Sequence, residues 1–274
     1  MVLAKAMYKL FYLSNLLLYS LNFCFAQNNL GPRLSALGMN GVVVNDLWSL
    51  EGNPSGITDI KSATVAVNYS KYLFDSDLSK QAIAFVIPFK NNYFGASFQR
   101  YGITEYNEIK VGFALAKKIG EKLSLALKGN YHQIKISNYG ATIGFSFDVG
   151  AMYNYNELLT LGISVNNPSA QKYSTKTIKT TIPTIFQIGA SYKASNKTLI
   201  ATTISKALDK VVDVGIGLEY ELLELISLRA GLTAKPFKQY AGFGLNYKKL
   251  IVDFALESDP NLGYKPQIAL AYAF

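Results

Sequence analysis

From about residue 62 to its end the chain alternates apolar with small or polar positions. In 212–220 the apolar set is Val212, Val214, Ile216, Leu218 and Tyr220, and Asp213, Gly215, Gly217 and Glu219 interleave with it. A helix repeats every 3.6 residues, so a period of two predicts strands with one apolar face. The same pattern returns in 226–233, where Ile226, Leu228, Ala230 and Leu232 alternate with Ser227, Arg229, Gly231 and Thr233. It recurs in 241–247, with Gly242, Gly244 and Asn246 as the interleaved set, and in 143–150, with Gly144, Ser146, Asp148 and Gly150. An apolar face suits lipid and a polar one suits a lumen.

Segmenting by this alternation and by turn residues predicts about fourteen strands: 62–73, 80–89, 92–101, 106–118, 122–136, 141–154, 158–167, 183–194, 197–206, 211–222, 225–234, 238–247, 250–258 and 266–274. An even number lets an antiparallel sheet close on itself with both ends on one side. The fold class is therefore all-β, a transmembrane antiparallel barrel occupying 61–274. Connections after even strands are tight, as at 90–91, 120–121 and 248–249, while those after odd strands tend to be longer, the longest spanning 167–182. Short turns on one rim and longer loops on the other are what an outer-membrane barrel shows, the tight rim being periplasmic.

The final strand alternates Ile268, Leu270, Tyr272 and Phe274 with Gln267, Ala269, Ala271 and Ala273. A terminal aromatic after alternating apolar residues resembles the assembly signal of bacterial outer-membrane barrels, which assigns Tyr272 and Phe274 that role and the barrel-insertion machinery as a partner. Before the first strand lies a different stretch, 40–56, reading NGVVVNDLWSLEGNPSG. Asn53-Pro54-Ser55-Gly56 is a turn in which Pro restricts φ and Gly tolerates a positive one, and Asn and Ser side chains satisfy backbone groups that no sheet reaches. Asp46 and Trp48 precede it. Residues 27–60 are expected to form a hatch on the periplasmic side of the lumen, with Trp48 wedged against the inner wall.

Composition supports the membrane reading. Half of the residues are hydrophobic, 13% are aromatic and 16% are charged, against about 25% charged in soluble globular proteins. No segment after the first thirty residues reaches the run of about 18 apolar residues that a spanning helix needs. At the start, Lys5 and Lys9 precede an apolar run ending at Cys24-Phe25-Ala26, the pattern of a signal peptide removed after residue 26. Cleavage takes with it the chain's single cysteine, which excludes disulfides and thiolate metal sites. The formal charge of +9 sits at strand ends, for example at Lys90, Lys117, Lys122 and Lys248 on the tight rim and Lys172, Lys210 and Lys235 on the other. Lysines there snorkel toward headgroups of outer-membrane lipid, and no nucleic-acid partner is expected.

No enzyme chemistry is expected either. The one histidine, His132, reads as a wall residue near a point where Ile134 and Ile136 shift the strand phase. No cofactor, metal cluster or phosphate-binding glycine loop is predicted. The inward charges Lys128, Asp148, Asp213, Glu219, Arg229 and Glu257 read as an ionic network in the lumen, because side chains and hatch fill much of a barrel of this size.

Residues 38–56, with Gly38-Met39-Asn40-Gly41, Asn45-Asp46-Leu47-Trp48-Ser49 and Asn53-Pro54-Ser55-Gly56, resemble the N-terminal pattern of the FadL-like family of outer-membrane transporters. The Asp-x-Trp-Ser variant is most similar to Bacteroidota barrels of the PorV and PorQ type. The resemblance implies a fourteen-stranded barrel in the bacterial outer membrane with an N-terminal hatch. It also implies passive transport of a hydrophobic or small solute with the hatch as gate or, alternatively, a non-transporting barrel partnering a type IX secretion translocon or a surface protein. The family's extracellular loops are long, whereas most loops here are short and the one long connection, with 168–181 reading PSAQKYSTKTIKTT, is polar and basic.

Overall fold

The alternation is realised as a closed sheet. A computed structural model describes residues 30–73, 78–173, 181–260 and 262–274. The expected signal peptide, with Cys24, and part of the 167–182 connection lie outside them. An inner segment comes first, made of a short helix α1 (Gly31–Ala36) and two 3-10 turns, η1 (Leu47–Glu51) and η2 (Pro54–Asp59). The strands follow as β1 (Thr64–Lys71), β2 (Ser79–Phe89), β3 (Asn92–Gly102), β4 (Tyr106–Ile119), β5 (Leu123–Ile136), β6 (Gly140–Asn154) and β7 (Leu159–Asn166). Then come β8 (Ile185–Ser195), β9 (Thr198–Ala207), β10 (Asp213–Leu223), β11 (Ile226–Ala234), β12 (Phe237–Tyr247), β13 (Leu250–Asp259) and β14 (Gly263–Ala273).

Each strand pairs antiparallel with its sequence neighbours, and β1 pairs with β14 to close the barrel. All fourteen predicted strands are present, with ends shifted by up to three residues. The largest shift is in β14, which starts at Gly263 rather than 266. Pro266 lies within it, one position past the last β1 partner, Ser70 opposite Gln267. There β14 is an edge toward β1, where a residue without an N–H is tolerated. The phase shift expected at Ile134 does not occur: Ile134 is buried on the inner face, in step with Lys128 and Asn130. Ile182, from the connection after β7, packs inward beside Gly144 and gives the inner wall an apolar patch at that height.

The outer face carries a continuous apolar band. Ile83, Phe113, Phe145, Ile163, Ile188, Ile216, Leu232, Phe243 and Ile268 come from strands around the whole circumference and are all exposed. Such a surface is costly in water and is what a bilayer covers. The connections after even strands form a tight rim, hereafter the turn rim. In one of these turns Gly120 adopts φ +61°, a left-handed conformation that glycine takes without penalty. The other connections form the loop rim. Tyr272 and Phe274 lie exposed at the turn rim with their rings edge to face at 5.2 Å, and Phe274 donates its N–H to the Ala63 carbonyl.

Candidate functional site

The residues singled out in 40–56 act as caps. Asp46 accepts from the Trp48 N–H at 2.8 Å, while its own N–H donates to Ser49 Oγ at 3.1 Å, a reciprocal box that starts η1. Asn53 starts η2 in the same way, its Oδ1 accepting from Ser55 N and Ser55 Oγ with Pro54 at the first helical position. The other end of the Asn53 amide reaches out of the segment. Its Nδ2 lies near the carbonyls of Val42 at 2.9 Å, Ala151 in β6 at 3.0 Å and Ile163 in β7 at 3.3 Å. Trp48, expected to wedge the segment in place, packs over Gly31 at the start of α1. Pro54, Ser55 and Gly56 are all buried.

Inward glycines seat this segment. A Cβ on Gly162 or Gly189 would run into Val42 and Val43, and one on Gly215, Gly217 or Gly231 would run into the backbone of 37–38. The small face read from the alternation is thus a set of places where the wall meets another backbone directly. Seated there, Leu34, Leu37, Val42, Val43, Leu50 and Ile57 are at most 2% exposed, so the core of the molecule lies inside the barrel.

Besides a half-exposed pair of Asp59 with Lys118 of β4 at 3.0 Å, two ionic networks tie the segment to the wall. On one side the Arg33 guanidinium binds both Glu219 oxygens, at 2.8 and 2.9 Å, and reaches Asp46 at 3.2 Å. Arg229 extends the chain to Asp253 at 2.6 Å. On the other side the Glu51 carboxylate receives Lys110 at 2.9 Å and Lys128, all but Lys110 fully buried. Burial by itself would push the Glu51 carboxyl up, but the adjacent Lys110 and Lys128 ammonium groups outweigh it and hold the group well below the usual carboxylate range. A third cluster, Glu257 with Lys238 and Lys265, joins wall strands to one another.

Of the expected inward charges, Lys128, Glu219, Arg229 and Glu257 sit in these networks. Asp148 accepts from the Asn130 amide at 2.8 Å and the Asn167 N–H at 3.2 Å. Asp213 has a different role from the ionic one expected: one oxygen accepts from the N–H groups of Val214, Ala234 and Lys235 and so fixes the loop-rim end of β10. Arg33 and Glu51 were not recognised from sequence, although a second acid beside Asp46 in a turn motif without a basic residue was a signal for Glu51.

The inner segment divides the lumen. A cavity of about 610 Å³ opens at the loop rim, lined by Leu30, Met39, Ile185, Val211 and Tyr240 among others, with Gly38 and Gly52 also in its lining. A second, of about 1160 Å³, opens at the turn rim beneath Val43, Val44 and Asn45. Leu30, Gly38, Met39, Glu51 and Gly52 of the inner segment face the first and Arg33, Val43, Val44, Asn45 and Asp59 the second, so the segment stands between them, with 40–44 at its middle as a septum. Its carbonyls accept from the inner segment itself, Gly41 from the Asn53 N–H at 3.1 Å, Val42 from Asn53 Nδ2 at 2.9 Å and Val44 from Ser49 Oγ at 2.8 Å, while the wall reaches it through Ser191 Oγ on the Val43 carbonyl at 3.2 Å and Thr203 Oγ1 on Asn40 Oδ1 at 2.6 Å. Met39, immediately before it, has φ +65°, a left-handed conformation that costs an ordinary residue about 1 kcal/mol. Backbone strain of this kind concentrates at segments that switch conformation.

No family model and no curated protein matches the sequence. The fold, however, matches solved structures. One described as the CymD monoaromatic hydrocarbon channel superposes with a TM-score of 0.74 at 12% identity, covering 89% of this chain and 97% of that one. The P. putida toluene transporter TodX gives 0.69 at 10% identity, covering 89% and 98%. A Pseudomonas aeruginosa FadL homologue gives 0.62 at 12% identity, covering 89% and 98%. The chain has the fold of FadL-like barrels.

Proposed function

We propose that this protein is a passive channel of the bacterial outer membrane for small apolar solutes, with residues 27–60 as its hatch and 40–44 as the moving part. The observation that carries this reading is the septum: one short loop, anchored by ion pairs on either side, separates a cavity at the loop rim from one at the turn rim. The solute class follows from the fold likeness to hydrocarbon channels together with Leu30, Met39, Ile185 and Val211 lining the loop-rim cavity. The channels and transporters whose fold it shares support reading the protein as a conduit.

The test is uptake of radiolabelled toluene by bacteria with a lipopolysaccharide outer leaflet. Cells making the protein are expected to take up toluene several-fold faster than cells without it. Equal rates would reject the channel, and recovery of the barrel at fixed stoichiometry with secretion-translocon subunits would then favour the partner-barrel alternative.

A further inference from the structure

We propose that the protein binds a small hydroxylated solute in a second, polar cavity in the loop-rim half of the lumen. This cavity, of about 90 Å³, lies between β2–β7 and Asn167, Tyr173, Ile182 and Pro183 that follow β7, with Gln99, Tyr101, Lys110, His132 and Asn166 also in its lining. Pro183 and Ile185 line both it and the larger loop-rim cavity, so the two are neighbours and the larger one gives access.

The charged groups around it are already engaged. Lys110 binds Glu51 at 2.9 Å, Asp148 is held by Asn130 and Asn167, Glu108 accepts from the Tyr106 hydroxyl, and the Lys80 ammonium lies over the Tyr101 ring at 5.4 Å. His132 Nε2 lies 2.8 Å from Ser146 Oγ, and its ring meets Tyr173 edge to face. What remains is neutral. Gln99 is 7% and Asn166 6% exposed, both line the cavity, and Gln99 Nε2 and Asn166 Oδ1 have no hydrogen-bond partner among the described residues. A buried polar atom left without a partner costs about 1–3 kcal/mol, so the cavity calls for an occupant that accepts from one amide and donates to the other. A hydroxyl group does both. Tyr101 and Tyr173 add apolar ring surface for the carbons of such a molecule. At about 10–15 Å³ for each water-sized unit, the volume fits on the order of six non-hydrogen atoms, the size of glycerol. An ion is disfavoured because the charges have partners, and a monoaromatic hydrocarbon is disfavoured because it would leave both amides unsatisfied.

This holds whether or not the barrel conducts apolar solutes. The experiment is saturation-transfer NMR on the intact detergent-solubilised protein, titrated with glycerol, with myo-inositol as a larger polyol and with benzene. Saturable glycerol binding is expected, and inositol and benzene are expected not to compete for it. Gln99→Leu and Asn166→Leu, which remove the unpartnered atoms at similar size and so should not weaken the fold, are each expected to lower glycerol affinity at least about tenfold. No saturable glycerol signal, meaning water alone fills the cavity, would overturn the proposal. So would displacement of glycerol by benzene, or glycerol affinity unchanged in both variants.

Discussion

Replacing Asn40, Val42, Val43 and Val44 together by glycine is expected to raise the initial rate of toluene uptake at least about tenfold. The three valines are at most 3% exposed, and burying each contributes about 1.5–3 kcal/mol. Asn40 adds the bonds to the Ala201 carbonyl and Thr203 that tie the loop to β9. Since a factor of ten in an equilibrium needs only about 1.4 kcal/mol, losing even part of this hold shifts the septum strongly toward its open arrangement. The ion-paired anchors at Arg33 and Glu51 are untouched, so the rest of the segment stays seated. Uptake equal to that of the unmodified protein would show that the path does not cross this loop.

Glu51→Gln should have the largest effect on stability. It leaves Lys128, with its side chain fully buried, and Lys110 facing each other without a carboxylate. Breaking a buried ion pair from one side costs about 3–5 kcal/mol, and here one carboxylate serves two cations. Urea unfolding in detergent micelles should show a lower midpoint, and the inner segment should become accessible to protease. Adding Lys110→Met and Lys128→Met to Glu51→Leu should recover much of the loss, because an apolar replacement removes the uncompensated charges. The pH dependence has a definite sign. The Glu51 carboxyl sits below its unfolded value of about 4.3, so its contribution is fully present above that pH and is lost as pH falls toward the lower folded value. The unmodified protein should therefore keep its inner segment protease-resistant at pH 5, with the Glu51 contribution weakening only at lower pH. Glu51→Gln with an unchanged midpoint would remove this anchor from the account.

Strand number, order and facing were readable because a wall between lipid and lumen imposes a period of two at every position, as in 212–220. Strand ends were less readable where a neighbour had already ended, as at Pro266. The contents of the lumen were the least readable. Asp46, Asn53 and Pro54 announced turns, but which carbonyls Asn53 would reach depended on strands about a hundred positions away in the chain. Gly162, Gly215 and Gly217 looked like generic small residues, although each marks a point where backbone of the inner segment touches the wall. Arg33 fell in a stretch with no periodicity, and its partner Glu219 lies 186 positions further on. Asp213 had the right facing for an ionic role, yet three nearby N–H groups claim it. Alternation reports which side a residue faces, and the partners across the lumen are set by the closed fold.

The most direct measurement pins the septum to the wall. Asn40 and Thr203 touch through their side chains, Oγ1 to Oδ1 at 2.6 Å, so Asn40→Cys with Thr203→Cys in a Cys24→Ser background places two thiols within reach of a one-carbon bis-thiosulfonate. Cells making this variant are expected to take up toluene at least as fast as cells making the unmodified protein. They should fall to the rate of cells lacking the protein after cross-linking and recover on reduction. Uptake that continues undiminished through a cross-linked septum would contradict the claim that solute passes where residues 40–44 now stand.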